Sequence, residues 1–188
     1  MKLLKFLGAL LFLAVSISLV LNRVWPGKNM EAPHKGGSAL FVDLNQFSSS
    51  MDEKGIQQFL PDLGLKCTNT EPGFTLGNRV CHANLGSFND VGTKQIVFFF
   101  KEGHLANFKI DVPWQNHQAM IDLLYKDYDS PKGIQKKAHL GVRLVGWKIR
   151  GGNLLYDLNK DQDAPWNTLL WISHEEAEVR GGIFIQKK

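Results

Sequence analysis

Three observations predict an α+β protein. Apolar residues alternate in paired runs, two capped amphipathic stretches precede those runs, and one long apolar segment is confined to the N-terminus. The expected architecture is an antiparallel sheet with helices on one face, preceded by one N-terminal transmembrane or signal helix. The 188-residue chain is 44% hydrophobic and 21% charged, with only 2 Cys. It is too apolar for a disordered chain and too poor in Cys for a disulfide scaffold. Outside the first 25 residues no apolar run is long enough to span a bilayer, which excludes a polytopic membrane protein.

Met1–Lys5 is a short basic start and Phe6–Leu21 an almost unbroken apolar run. At about 1.5 Å per residue that run spans roughly 24 Å, slightly short of a hydrocarbon core, which suits a cleaved signal. The small-residue pairs a signal peptidase needs, Ala14 with Ser16 and Ser16 with Ser18, sit inside the run instead of after it. Arg23 and Trp25 occupy interfacial positions. Residues 1–25 therefore read as an uncleaved anchor, with residues 6–25 in a bacterial inner membrane and the C-terminal domain in the periplasm. A soluble periplasmic or secreted product after cleavage is the alternative. The net charge of +4 leads the same way, because Lys2, Lys5 and Arg23 account for most of it. The remaining chain is nearly balanced, which argues against nucleic acid as a partner.

Residues 26–39, rich in Pro, Gly and charge, read as a flexible tether, and residues 40–188 as the exported domain. Ser50 and Glu53 have capping-box spacing ahead of Ile56, Phe59 and Leu60, and Pro61 stops that helix. A short strand is expected near Arg79–Leu85. Gln95–Val112 is the clearest hairpin. Ile96, Phe98 and Phe100 alternate with the equally apolar Val97 and Phe99, the mark of a central strand. In the return strand Ala106, Phe108, Ile110 and Val112 are expected inward, and Asn107, Lys109 and Asp111 outward. Asn116 caps a second helix carrying Met120, Ile121, Leu124 and Tyr128, ended by Ser130-Pro131. After a basic connection, a second hairpin pairs Val145, Trp147 and Ile149 with Leu154, Tyr156 and Leu158 around Gly151-Gly152. Asn159–Asn167 reads as a polar loop, Thr168–Ser173 as a strand, and Ile183–Ile185 as one further strand. The order of helix, strands, hairpin, then helix, hairpin, strand suggests a tandem α-β-β repeat.

Cys67 and Cys81 flank the Glu71-Pro72-Gly73 turn. In an exported domain they are placed to close a disulfide, worth about 3 kcal/mol for a loop of about 15 residues. Two free thiols, a metal site with His82 and a catalytic thiol are the alternatives. No C-x-x-C accompanies the pair.

The capped helix at Ser50–Leu60, Cys67 and Cys81, the Ile96–Val112 hairpin, and the helix and hairpin at Asn116–Leu158 together resemble beta-lactamase inhibitor protein-like folds. They also resemble the small outer-membrane assembly lipoproteins related to those in shape. The resemblance implies an exported binding or scaffolding protein with no active site.

Asp157, Asn159, Asp161 and Asp163 form D-x-N-x-D-x-D, a calcium-loop spacing. Gln162 stands where that loop needs Gly and Thr168 where it needs Glu, so a solvated loop is the simpler reading, with no metal. The six histidines form no ligand motif. His174-Glu175-Glu176 is the nearest thing to an acid/base cluster, and with His104 it would serve a small envelope hydrolase or ligand-binding protein. No nucleophile elbow, P-loop or dinucleotide fingerprint is present, and no cofactor is expected. Between Pro131 and Tyr156 lie Lys132, Lys136, Lys137, Arg143, Lys148 and Arg150 without one acid. That stretch is either a solvated face or a surface for an acidic partner or anionic headgroups. Trp147 and Trp171 fall in alternating strands and read as core. Trp114 and Trp166 each follow a Pro and are candidate interface anchors. The sequence thus predicts a membrane-tethered module that binds an envelope protein through Trp114, Trp166 and the basic stretch. An immunity-type inhibitor of a toxin is a third possibility.

Overall fold

The computed structural model describes residues 37–71, 76–131, 133–137, 142–158 and 166–179, with the side chains of 133–137, 142 and 143 excepted. The expected anchor at 1–25, all but the last residues of the tether, and the expected strand at Ile183–Ile185 lie outside the described residues. Among the described residues no helix is long and apolar enough to cross a membrane.

The described chain is a mixed α+β fold, with one large sheet and few helices. In order it runs β1 (Ser38–Leu40), α1 (Glu53–Phe59), β2 (Lys66–Asn69), β3 (Arg79–Phe88), β4 (Val91–Gly92), β5 (Gln95–Lys101) and β6 (His104–Pro113). It continues through α2 (His117–Tyr128), β7 (Gly133–Lys137), β8 (Val142–Ile149), β9 (Gly152–Asp157), β10 (Trp166–Ser173) and α3 (His174–Val179). The hydrogen-bonded order is β1-β3-β5-β6-β10-β9-β8-β7, with β2 and β4 also on β3. Among the described residues only the β1–β3 pair is parallel. Leaving out the short β1 and β4, the order reads the same from either edge. Each half is a helix followed by four strands in succession, and the last strands, β6 and β10, pair antiparallel at the centre.

Local chemistry accounts for the elements. Asp52, not Ser50, caps α1: its carboxylate accepts Gly55 N–H at 2.6 Å, while Ser50 is drawn into a turn by the Ser48 hydroxyl. Pro61 ends the helix in a 3-10 turn closed by Gly64 at φ 59°. Asn116 precedes α2 but does not cap it by side chain, its amide donating instead to Gly92 O at 2.9 Å. Two-residue turns with positive φ, Asn89-Asp90 and Glu102-Gly103, join β3 to β4 and β5 to β6.

The core lies between one sheet face and the helices α1 and α2. Phe98, Phe100, Phe108, Tyr156, Trp147 and Trp171 pack there with Ile56, Met120 and Leu124. The segment between β1 and α1 also enters it: Leu44 and Phe47 are buried, and the Phe47 ring stands 4.6 Å from Phe108 and 5.5 Å from Phe59.

The expected register of the return strand fails at one residue. Phe99 pairs with Asn107 but Phe100 pairs with Leu105, so Ala106 is the extra residue of a β-bulge and Leu105 points into the core. Asn107 and Asp111 are buried too: the Asn107 amide donates to Leu76 O at 3.2 Å, and Asp111 is enclosed by Gln95, Lys109 and Thr168. Helix α3 lies on the sheet's second face: Ala177 packs with Leu155 and Ile172, whose neighbours Leu154 and Trp171 face the main core. The helices therefore do not all share one face. The basic connection before the second hairpin contains β7, and Asn167, expected in a loop, is a buried residue of β10.

Candidate functional site

The chain leaves the sheet at Pro113 and begins a 3-10 turn at Trp114. Trp166 opens β10 directly opposite Pro113, so antiparallel pairing brings the two tryptophans to one end of the sheet. They are 38% and 37% exposed, where Trp147 and Trp171 are buried. Lys94 Nζ sits 4.0 Å from the Trp166 ring centroid, a cation–π arrangement.

Polar contacts fix the sheet around them. On the second face, buried Asp111 accepts from the Gln95 amide, from Lys109 Nζ at 3.0 Å to both oxygens, and from the Thr168 hydroxyl at 3.5 Å. On the core face, His117 Nδ1 is hydrogen-bonded with the Asn167 amide and lies 3.3 Å from the Tyr156 hydroxyl. Burial pushes the Tyr156 hydroxyl pKa up, so the phenol stays protonated. Four strands (β5, β6, β9 and β10) and α2 are thus tied together by polar contacts on both faces of the sheet beside the two tryptophans.

The basic stretch reaches the same end. Val145 pairs with Tyr156 and Tyr156 with Leu169. Carrying those registers onward places Val142 and its partner Lys137 in the row of Trp166 and Pro113, two and three strands beyond β10. Lys136 pairs with Arg143 one row in. Lys132 lies outside the described residues, as do Asn159, Asp161 and Asp163 of the calcium-like spacing. Asp157 ends β9, half-buried.

His104, His174 and Glu175 are at the opposite end, where β6 begins and α3 starts. Glu175 is exposed, while Glu176 is buried and meets Lys101 Nζ at 3.3 Å. The acid/base cluster expected there is a helix start with a structural ion pair.

Two features escaped the sequence reading. A shallow groove of about 660 Å³ runs beside Asp43, Asn45, Gln46, Ser48, Arg150 and Gly151, and a second of about 460 Å³ continues from Asp43 to Lys126 and Tyr128. Its wall is clamped at three points: Asn89 holds both backbone groups of Val42, the Tyr128 hydroxyl accepts Leu44 N–H at 3.0 Å, and Asn45 Oδ1 accepts Arg150 N–H at 2.9 Å. Burial raises the Tyr128 pKa, keeping that hydroxyl neutral.

The other is the surroundings of the disulfide. Cys67 and Cys81 are bonded, with paired Cα atoms 4.0 Å apart, and clasp edge strand β2 to β3. Beside them Arg79 makes a two-pronged ion pair with Glu53 and donates to Asn69 at 3.0 Å. The Arg79 hydrogen bonds hold the Glu53 carboxyl below its ordinary pKa. The signal was present in the sequence as Glu53 in the first turn of α1, read there only as a capping residue.

No protein-family model, curated protein or solved structure matches this chain.

Proposed function

We propose that the chain is a membrane-tethered protein-binding or scaffolding module of the bacterial envelope. Residues 6–25 hold it at the inner membrane, the domain works in the periplasm, and the tether raises its local concentration near an envelope partner. The partner face would carry an apolar patch for the two indoles and an acidic rim toward the basic β7–β8 hairpin. The observation that carries this reading is the pair Trp114 and Trp166, each more than one-third exposed, with Trp166 paired across β6 and β10 to Pro113, the residue before Trp114. Trp is the side chain most enriched among residues that dominate interface energy. The Cys67–Cys81 disulfide supports an oxidising compartment. The strand order, two helix-plus-four-strand halves, supports a tandem repeat with a longer unit than α-β-β and is compatible with the inhibitor-like resemblance.

The test is in-cell photo-crosslinking of the full chain, with a photoreactive aromatic residue at position 114 or 166. The expected result is one adduct of defined mass from both positions, lost when Lys136 and Lys137 are both changed to Glu. Absence of any adduct from both positions overturns the reading. The same adduct, once identified, separates a scaffold partner from a toxin blocked by an immunity protein.

A further inference from the structure

We propose that reduction of the Cys67–Cys81 bond converts this corner of the sheet into a divalent-metal site, with Cys67, Cys81 and Glu53 as protein ligands for a zinc-like ion. One ligand atom from each of the three residues already lies within 4.8 Å of the others. Each is placed by a different element: Cys67 by β2, Cys81 by the directly opposite position of β3, and Glu53 by the first turn of α1. A tetrahedral zinc with Zn–S bonds of about 2.3 Å needs its two sulfurs roughly 3.8 Å apart. Side-chain rotation can open a cross-strand pair that far while the β2–β3 ladder stays in register. Three protein ligands leave the fourth position to water, and the half-buried Cys67 and Glu53 give the site an open side.

Charge favours the ion. Two thiolates, the Glu53 carboxylate and the Arg79 guanidinium sum to two negative charges, which one divalent cation cancels. Arg79 occupies two of the roughly four lone-pair directions of the carboxylate and the Gln57 amide, at 3.4 Å, a third, which leaves one for a metal, and Arg79 holds Glu53 in place as a neighbour that orients a ligand.

The step that opens the site needs a dithiol reductant, the chemistry of a thiol–disulfide oxidoreductase. Its thiolate attacks the Cys67 sulfur, because Cys81 is fully buried, and Cys81 leaves as thiolate. The reductant's second thiol then releases Cys67, so two electrons pass to the cysteine pair and the reductant ends as a disulfide. Metal binding displaces the protons the two thiols still carry. The disulfide and the metal are thus mutually exclusive clasps of β2 to β3, one for each redox state. This inference does not depend on the proposed partner.

The test uses the full chain and cobalt(II) as a spectroscopic probe. After reduction with a phosphine, cobalt is expected to give a thiolate-to-cobalt charge-transfer band that the oxidised protein lacks, and added zinc should bleach it. Cys81→Ser should abolish the band, and Glu53→Gln should weaken cobalt binding by about tenfold or more. Far-UV circular dichroism is followed in the same sample. No band in the reduced protein overturns the proposal, as does an undiminished affinity in Glu53→Gln. A band that grows only as the native dichroism disappears overturns it too.

Discussion

Changing Phe47 to Ala tests whether the segment ahead of α1 is part of the core or a continuation of the tether. The side chain is 1% exposed. Its ring lies 4.6 Å from Phe108, 5.5 Å from Phe59, 6.2 Å from Phe98 and 6.3 Å from Trp171, so both halves of the sheet and α1 meet on it. Truncating a buried Phe costs about 3–5 kcal/mol, the larger values where the surroundings cannot close on the void. Here they cannot, because the backbone is pinned on both sides. Asn45 is bonded to Arg150 N–H, and a Cβ at Gly151 would stand 1.8 Å from Phe47 O, so the segment already touches the β8–β9 turn with no space to sink further. A loss near the top of the range is therefore expected, a large part of the about 5–15 kcal/mol that stabilises a typical domain. Equilibrium urea unfolding measures it, with the slope unchanged if the native state stays intact. Phe41→Ala, six residues earlier and 66% exposed, is the internal control and should move stability by no more than about 0.5 kcal/mol. A loss below about 1 kcal/mol for Phe47→Ala would refute the reasoning, since the segment would then be dispensable to the core.

Cys81→Ser should lower stability by about 3 kcal/mol through the lost loop constraint, read as a fall in urea midpoint under metal-free conditions. Asp111→Ala removes the acceptor shared by Gln95, Lys109 and Thr168; because Lys109 is part-exposed, a cost of about 1–3 kcal/mol is expected in the same assay. Glu53 has a folded pKa below its unfolded value, so its pairing stabilises the fold above the unfolded value and is lost as pH falls through the folded one. Urea midpoints against pH should show a shallower acid limb in Glu53→Gln than in the parent, with no change in slope at neutral pH. Trp114→Ala and Trp166→Ala should each weaken partner capture at least tenfold while shifting the thermal midpoint little, since neither ring belongs to the buried cluster.

What was legible in the sequence was whatever local chemistry decides. The β5–β6 hairpin showed itself because Phe98 and Phe100 alternate with Phe99 across a turn whose Gly103 takes positive φ. Helix α2 showed itself through its periodic Met120, Ile121 and Leu124. The Cys67–Cys81 bond followed from spacing around a turn. What was not legible depends on long-range packing. The bulge at Ala106 inverts the inward and outward sets on one side of it, and alternation alone cannot reveal an extra residue. Strand β7 carries a single large apolar residue, Ile134, and is a strand because β8 pairs with it. Asn167 and Asp111 looked solvated by composition, yet both are buried: besides its near neighbour Lys109, Asp111 meets Gln95 and Thr168, 16 and 57 residues away, and Asn167 meets His117, 50 away.

The matched strand order makes the two halves comparable position by position, and their departures from each other are informative. The first strand after α1, β2, is covalently clasped to its neighbour; the first strand after α2, β7, pairs with β8 by its ladder and carries Lys136 and Lys137. The two tryptophans depend on both halves at once. Trp114 follows the last strand of the first half and Trp166 opens the last strand of the second. Two strands running the same way would leave those residues at opposite ends of the sheet. Because β6 and β10 are antiparallel, the end of one strand lies beside the start of the other, and Pro113 meets Trp166. The aromatic pair is therefore a product of joining the halves: neither half contains it, and a slip of one residue along the β6–β10 ladder would move Trp166 to the other face of the sheet. Asp111 and Asn167, buried on opposite faces within two residues of this contact, bond to groups on both sides of it and hold that register.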